Sequence, residues 1–283
     1  MLIDFNYTLT APITRKYFTF VLTMQLPFYK YQGTGNDFIL IDNRQQLFPK
    51  NNTKLVAQLC DRKFGVGADG LILLELSKLH DFTMVYYNAD GNEGSMCGNG
   101  GRCTVAFANK LQIIESKATF EAIDGLHEAS ILDDTVSLKM NDVTKIENYE
   151  GHLFVDTGSP HHITYVDNVK NVNVKITGSK IRYGAPYFME GSNVNFVEKE
   201  NENTFKVRTY ERGVEDETLS CGTGVTAVAI ASHKAKKTDK TKITLDTLGG
   251  KLEVSFDYDN NIYKNVFLKG KATHVFHGEI TVK

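Results

Sequence analysis

Alternation of hydrophobic and polar positions dominates the chain and predicts many short strands. It starts at MQLPFYKYQGTGNDFILID (24–42), which is typical of two strands around a glycine-rich turn. Further alternating runs are LILLEL (71–76), FTMVYYN (82–88), ATFEAI (118–123), HEASIL (127–132), TVSLKM (135–140), HLFVDT (152–157), HITYVD (162–167), NVNFVEK (193–199), TFKVRTYE (204–211), KITLDT (242–247), KLEVSF (251–256) and NVFLKGKATHVF (265–276). Helical spacing of apolar residues is confined to residues 52–64 and to the segments after Cys97 and Cys221. Because strands outnumber helices and do not alternate with them, we predict an α+β fold.

An internal repeat indicates how this fold is organised. CGNG at 97–100 returns as CGTG at 221–224, and each motif opens an apolar run of small residues. Such duplication predicts two pseudo-symmetric domains, each with a cysteine at a helix start. We assign residues 24–145 to the first domain and 146–265 to the second, with the last strand, 266–283, a candidate to pack back on the first.

The segment before Met24 is interpreted as an extension or a misread start. Its apolar run at 17–22 follows two basic residues, but the run is short and an acidic residue precedes it, so a signal peptide is not favoured. No stretch in the chain approaches the roughly 20 apolar residues of a transmembrane helix. We therefore predict no membrane association.

Charge and cysteine content narrow the functional classes. The chain has 283 residues, 32 of them basic and 34 acidic, so its net charge of −2 provides no field that attracts nucleic acid. Four cysteines are too few for a disulfide scaffold. Cys60 and Cys103 fall on helical apolar positions and are predicted to be buried core residues. Because Cys97 and Cys103 are not a C-x-x-C pair and His161 and His162 face opposite ways, we predict no metal site.

Cys97 and Cys221 have a different context, because each is followed by Gly-x-Gly and then by helix formers. Unsatisfied N–H groups and the helix dipole at such a position lower a thiol pKa, to about 3.5–7.5 in known cases. The glycines allow the same backbone to approach an anion closely. Two such sites predict proton transfer next to a carboxylate, with one thiolate removing the α-proton and the other thiol protonating the opposite face. We expect no cofactor.

A glycine-rich motif elsewhere suggests a different chemistry. GVGADG at 65–70 matches the G-x-G-x-x-G dinucleotide fingerprint. It follows a predicted helix and precedes a strand, which reverses the strand–turn–helix order that nucleotide binding needs. We interpret the motif as a turn.

The segments around both cysteines give the chain a family resemblance. GTGNDF (33–38), YNADGNEGSMCGNGGRC (87–103), GSPHH (158–162), NVNF (193–196) and YERGVEDETLSCGTG (210–224) resemble the diaminopimelate epimerase family. The resemblance extends from Met24 to the C-terminus. It implies two pseudo-symmetric domains, each a β-barrel-like sheet around a central helix, with the site in the cleft between them. It also implies cofactor-independent epimerisation of LL-2,6-diaminopimelate to the meso isomer, in lysine and peptidoglycan-precursor synthesis. Because two catalytic thiols must stay reduced, we expect the protein in the cytoplasm.

The resemblance also assigns roles to individual residues. Cys97 is expected to be the proton donor and Cys221 the acceptor, with His161 and Glu211 tuning the two thiols. The positions that match substrate contacts are Asn36, Asn88, Gly98, Asn99, Ser159, Asn193, Glu211, Arg212, Gly222 and Thr223. Ser159 stands where many members have Asn, and Gly70 where some have Gln, so the chain departs from the family at these two substrate contacts. The expected partner is the small-molecule substrate, with a homodimer left open.

Two other classes of function remain as alternatives. A proline racemase or hydroxyproline epimerase shares the two-cysteine chemistry but needs no polar set for a second amino-acid head. A phenazine-biosynthesis-type isomerase of this architecture is expected to lack the cysteine pair. Outside enzymes, the chain could be an amino-acid-binding protein or a thiol redox protein.

Overall fold

The computed structural model describes residues 24–149 and 151–282. The interpretation of residues 1–23 as an extension concerns residues outside these ranges. Within them the chain forms seventeen strands and four α-helices, which confirms the α+β class.

The first half of the chain contains seven strands and two helices. They are β1 (Met24–Gly33), β2 (Asn36–Asp42), α1 (Thr53–Cys60), β3 (Gly70–Glu75), β4 (Phe82–Asn88), α2 (Gly98–Lys110), β5 (Lys117–Ala122), β6 (Gly125–Leu132) and β7 (Thr135–Lys139). The GVGADG segment connects α1 to β3, as its interpretation as a turn predicts.

The second half repeats this order and adds three strands and a 3₁₀ turn. Its elements are β8 (Ile146–Tyr149), β9 (His152–Asp156), β10 (Pro160–Tyr165), a 3₁₀ turn (Val169–Asn171), α3 (Val174–Tyr183), β11 (Asn193–Lys199), β12 (Thr204–Glu211), β13 (Asp216–Thr218), α4 (Gly222–Lys234), β14 (Lys242–Thr247), β15 (Gly250–Asp259), β16 (Ile262–Lys271) and β17 (Thr273–Val282).

Strand pairing shows that the two halves share one topology. In the first half β2 pairs in parallel with β3, and β4 with β5, while the other neighbours are antiparallel. In the second half β10 pairs in parallel with β11, and β12 with β14, among antiparallel neighbours. Each parallel pair is joined by a connection containing a helix, as a parallel crossover requires.

Two strands near the C-terminus connect the halves. β16 pairs with β15 and also with β7 of the first half. β17 pairs with β1 from Met24↔Val282 to Gln32↔Thr273. The predicted last strand, 266–283, therefore includes part of β16, which joins both halves, and β17, which lies on the first.

Each half wraps its sheet around one buried helix. α2 contacts β1, β2, β3, β4, β6 and β7, and α4 contacts β9, β10, β11, β14, β15 and β16. Small side chains such as Ala108 and Ala231 are completely buried on these helices and let the strands approach closely. Eleven consecutive residues of α2, 98–108, are buried, and α4 is buried on nearly every side, so neither helix is limited to one buried stripe.

Three expectations about elements need correction. The helix predicted over 52–64 ends at Cys60, because the Asp61 carboxylate accepts the N–H groups of Lys63 and Phe64 and forms a turn. The strand predicted over 265–276 is two strands that separate at Ala272. Helix α3 was not predicted, since few of its residues are buried.

Candidate active site

Both candidate catalytic cysteines are the N-cap residues of the central helices. Cys97 precedes α2 with φ −105° and ψ 125°, and Cys221 precedes α4 with φ −127° and ψ 115°. Neither sulfur caps its own helix, so the first N–H groups point toward the space beside the sulfur. Cys221 is buried and Cys97 is half-buried.

The two helix starts meet at a pair of glycines. A Cβ built on Gly222 would lie 3.5 Å from Cα of Gly98 and 3.8 Å from N of Asn99. Leu268 of β16 lies beside both, with its Cδ2 3.3 Å from a Cβ built on Gly98 and 3.0 Å from one built on Gly222. The absence of side chains therefore allows the positive ends of two helices to converge on one space.

Amides and hydroxyls join the two halves on the Cys97 side. The sulfur of Cys97 lies 3.5 Å from Oδ1 of Asn36, which also accepts a hydrogen bond from Asn99 Nδ2 at 3.3 Å. Asn99 Nδ2 lies 3.3 Å from both the carbonyl and the hydroxyl oxygen of Ser220. The Ser220 hydroxyl is in turn 2.6 Å from that of Thr34. These contacts fix the first helix start against the residue that precedes Cys221.

A different set of groups surrounds Cys221. Its sulfur lies 3.5 Å from the Thr223 hydroxyl, which is 2.9 Å from Nε2 of His161. The Thr157 hydroxyl donates to the Thr223 carbonyl at 2.9 Å. Behind the imidazole, Asn195 Nδ2 lies 3.2 Å from Nδ1 of His161. His161 and Asn195 are completely buried.

The thiol pKa values contradict the expectation that the helix ends lower them. Burial raises the pKa of Cys221 to about 12 and also raises that of Cys97. The Glu211 carboxylate raises both further, whereas backbone N–H groups at each helix start act in the opposite direction. Removal of the sulfurs from water thus outweighs the helix dipole.

Burial also shifts the two residues expected to tune the thiols. It raises the pKa of Glu211, which lies at the end of β12. It lowers the pKa of His161 to about 3, with a further contribution from the Arg212 charge. His161 is therefore neutral at physiological pH, and its contact with Thr223 is a neutral hydrogen bond.

Three of the residues predicted to contact the substrate, Asn193, Ser159 and Arg212, lie together. Asn193 donates through Nδ2 to the Ser159 hydroxyl at 3.0 Å, and its Oδ1 accepts the N–H of Arg212 at 2.9 Å. The exposed Arg212 side chain donates to the carbonyl of Glu190 at 2.9 Å. Asn88 lies, exposed, at the end of β4, where it pairs with Gly70 of β3.

Sequence reasoning missed one buried charge at the site. The Arg102 side chain is fully buried and donates to Asn99 Oδ1 at 2.9 Å, to the Thr34 hydroxyl at 3.3 Å and to the Gly98 carbonyl at 3.4 Å. Burial lowers its pKa. The available signal was an arginine within the apolar run after Cys97, where a charge is costly unless its hydrogen bonds are provided.

Neither metal ligation nor a membrane span is found in the part of the chain that the structure describes. No group of three or more His, Cys, Asp or Glu side chains there is placed to hold a metal ion. No helix within the same residues is long and apolar enough to cross a membrane.

Solved structures with this architecture define the class of fold. A phenazine biosynthesis protein of the PhzF family from Bacillus anthracis matches with a TM-score of 0.74 at 14% identity, over 91% of this chain and 99% of that one. A hydroxyproline epimerase from Agrobacterium vitis matches with a TM-score of 0.64 at 13% identity, over 91% and 93%. By fold, the protein thus belongs to the class of duplicated α+β proteins that includes these enzymes.

Sequence comparison gives the family. A model of the family described as diaminopimelate epimerase matches residues 28–146 and 153–275. A diaminopimelate epimerase of Flavobacterium psychrophilum is 59% identical over 253 residues, covering 89% of this chain and 99% of the relative. One from Chlorobaculum tepidum is 43% identical over 260 residues, covering 88% and 99%. The chain belongs to the diaminopimelate epimerase family, as the sequence segments around the cysteines indicate.

Proposed function

We propose that the protein epimerises LL-2,6-diaminopimelate to meso-diaminopimelate without a cofactor, using Cys97 and Cys221 as its acid and base. One observation supports this most directly. The two helices that have a cysteine at the N-cap position begin side by side, in contact at Gly98 and Gly222. Family membership supports the substrate, and the duplicated topology supports two-sided chemistry on one carbon.

The reaction requires one proton to leave the α-carbon and another to arrive on the opposite face. The Cys221 thiolate takes the α-proton, and the electron pair of the broken C–H bond delocalises into the substrate carboxylate. The Cys97 thiol then protonates the other face of the carbon and is left as the thiolate. The centre is inverted, and the two cysteines have exchanged protonation states, so the pair resets by returning its proton before the next turnover.

High thiol pKa values are suited to this chemistry. An α-proton beside a carboxylate is a very weak acid, and a thiolate whose pKa is raised by burial is a stronger base. The same burial removes water that would compete for the proton. The N–H groups after each cysteine hold the carboxylate, where negative charge develops in the transition state.

The second amino-acid head of diaminopimelate distinguishes this substrate from proline. Asn193 contacts both the Ser159 hydroxyl and the backbone N–H of Arg212, which brings an amide, a hydroxyl and the backbone of an arginine together. Arginine suits a distal carboxylate because its planar donors match the two oxygens. A proline racemase-like enzyme has no use for this set.

Solvent deuterium exchange tests the proposal. Purified protein in deuterated, reducing buffer without added cofactor should incorporate deuterium at the α-carbon of LL- or meso-diaminopimelate, and not of proline. Cys97→Ala and Cys221→Ala should each lose epimerisation while still binding the substrate, measured by calorimetry. If the unaltered protein binds diaminopimelate but shows no exchange, the result would instead support an amino-acid-binding protein.

We also propose that the protein is located in the cytoplasm and that it forms a homodimer. The cytoplasm is supported by chemistry, because both thiols must stay reduced for acid–base work. Light scattering at several concentrations would show the oligomeric state.

A further inference from the structure

The donors and acceptors in the hydrogen bonds around His161 can be assigned, because one of these bonds ends on a backbone carbonyl. Asn195 Nδ2 donates to the His162 carbonyl at 3.0 Å, and a carbonyl oxygen can only accept. Asn195 Oδ1 correspondingly accepts from the Thr209 hydroxyl at 3.0 Å. The orientation of the Asn195 amide is therefore determined by its partners.

This orientation determines the tautomer of His161. The second hydrogen of Asn195 Nδ2 points to Nδ1 of the imidazole at 3.2 Å, so Nδ1 is the unprotonated nitrogen. A neutral imidazole then carries its hydrogen on Nε2, which lies 2.9 Å from the Thr223 hydroxyl oxygen. Because Thr223 accepts from Nε2, its own hydrogen is available to the Cys221 sulfur, 3.5 Å away.

We propose that Asn195 is a positioning residue that fixes the Nε2–H tautomer of His161, and that this directs the Thr223 hydroxyl to donate to the Cys221 sulfur. We call this chain of hydrogen bonds, from Asn195 through His161 and Thr223 to Cys221, the relay. It stabilises the thiolate of Cys221 relative to its thiol. The inference rests on the proposed function and extends it, since it identifies a side-chain group that favours Cys221 as the base.

The Cys97 side offers the opposite polarity. Asn36 Nδ2 donates to the Asp69 carboxylate at 2.7 Å, which can only accept, so Oδ1 of Asn36 faces the Cys97 sulfur at 3.5 Å. A carbonyl-type acceptor favours S–H over the thiolate. Both sulfurs face backbone N–H groups, but among side chains the Cys97 sulfur meets an acceptor and the Cys221 sulfur meets a donor.

Close packing keeps Asn195 in this position. A Cβ on Gly224 would lie 2.7 Å from Asn195 Oδ1 and 3.2 Å from Cε1 of His161. The glycine in the second motif therefore makes room for the relay as well as for the substrate.

The charged groups nearby do not replace the relay. Glu211 raises the pKa of both thiols, and the Arg102 charge lowers that of Cys97. Arg212 helps keep His161 neutral. The Thr223 hydroxyl differs from these charges because it acts on one thiol: its hydrogen bond lowers the pKa of Cys221.

Two measurements without substrate test the proposal. Long-range ¹H–¹⁵N NMR should show the Nε2–H tautomer of His161 between pH 6 and 9, with the signal identified by its loss in His161→Gln. In Asn195→Asp, the new carboxylate accepts from Nδ1 and the tautomer should change to Nδ1–H. An Nδ1–H or cationic imidazole in the unaltered protein would overturn the proposal.

The second measurement is the rate of Cys221 alkylation by iodoacetamide at about pH 9, followed by peptide mass spectrometry. Below the raised pKa of the thiol, this rate increases with the fraction of thiolate. It is made in a Cys97→Ser background, because two interacting thiols titrate as a pair. Thr223→Val should slow alkylation by about three- to tenfold, because the thiolate loses a hydrogen bond. Thr223→Ser should keep the rate of the unaltered protein, and an unchanged rate in Thr223→Val refutes the relay.

Ser232→Ala is the matched control. Ser232 is fully buried on the same helix, and its hydroxyl lies 3.0 Å from that of Tyr165, away from the cysteines. This variant should leave both the tautomer and the alkylation rate unchanged. Since neither measurement needs diaminopimelate, a failure of the proposed function would appear separately, as absent α-proton exchange with the relay intact.

Discussion

Leu268 links the stability of the fold to the spacing of the two cysteines. It is completely buried on β16, opposite Leu138 and Val254, and its side chain occupies the space beside both Gly98 and Gly222. Leu268→Ala removes these contacts from beneath both helix starts at once. A buried Leu→Ala change costs about 3–5 kcal/mol, depending on how far the cavity collapses.

The same cavity should also reduce catalysis. A displacement of roughly 1 Å between reacting groups can cost about 100-fold in rate, so we expect kcat to fall by about 10- to 100-fold. Urea denaturation gives the loss of stability, and α-proton exchange in deuterated water, without urea, gives kcat.

Leu245→Ala provides the control for this experiment. Leu245 is also completely buried and belongs to the same core, but it lies on β14, where it pairs with Leu252. Its loss should destabilise the protein to a similar extent and leave kcat of the folded fraction near that of the unaltered protein. Equal kcat in the two variants would refute the reasoning.

Three further predictions concern charge and redox state. Glu211→Gln should speed the alkylation of Cys97 and Cys221 at about pH 9, because the carboxylate raises both thiol pKa values; unchanged rates would contradict this. Burial would raise the pKa of Asp37, but its contacts with Arg62 and Lys30 lower it well below the ordinary value, so stability is full above about pH 4 and falls as the pH drops further. Urea unfolding of Asp37→Asn should lack that component of the acid loss. Mild oxidation should join the two active-site cysteines and abolish exchange until a reductant is added, and retained activity with both thiols oxidised would contradict the two-thiol mechanism.

Sequence reasoning found the parts of the fold that have a strong local pattern. The repeated Cys-Gly-x-Gly motifs and the alternating runs predicted both central helices and most strands, because each signal lies within a few residues. Helix α3 escaped because its sequence is polar, and because Gly178, a poor helix former, is needed where a Cβ would lie 2.4 Å from Cβ of Tyr210. That requirement depends on a neighbour distant in sequence.

For the candidate site, too, the sequence predicted what local motifs identify and missed what depends on distant contacts. Motif position identified both cysteines, but their pKa shifts depend on burial, which only the assembled halves provide. Asn195 stands two residues from the predicted Asn193 on β11, and nothing in the local pattern shows that its amide meets His161. Contacts made across strands and between halves carry this information.

The pairing of β17 with β1 has a consequence for how the chain folds during synthesis. Met24 and Val282 are neighbours in the sheet although nearly the whole described chain separates them. Contacts of such high order form slowly, and the edge of β1 stays open until β17 has left the ribosome. An unpaired edge can recruit other chains. Completion of the first half therefore waits until the strands of the second half have been synthesised.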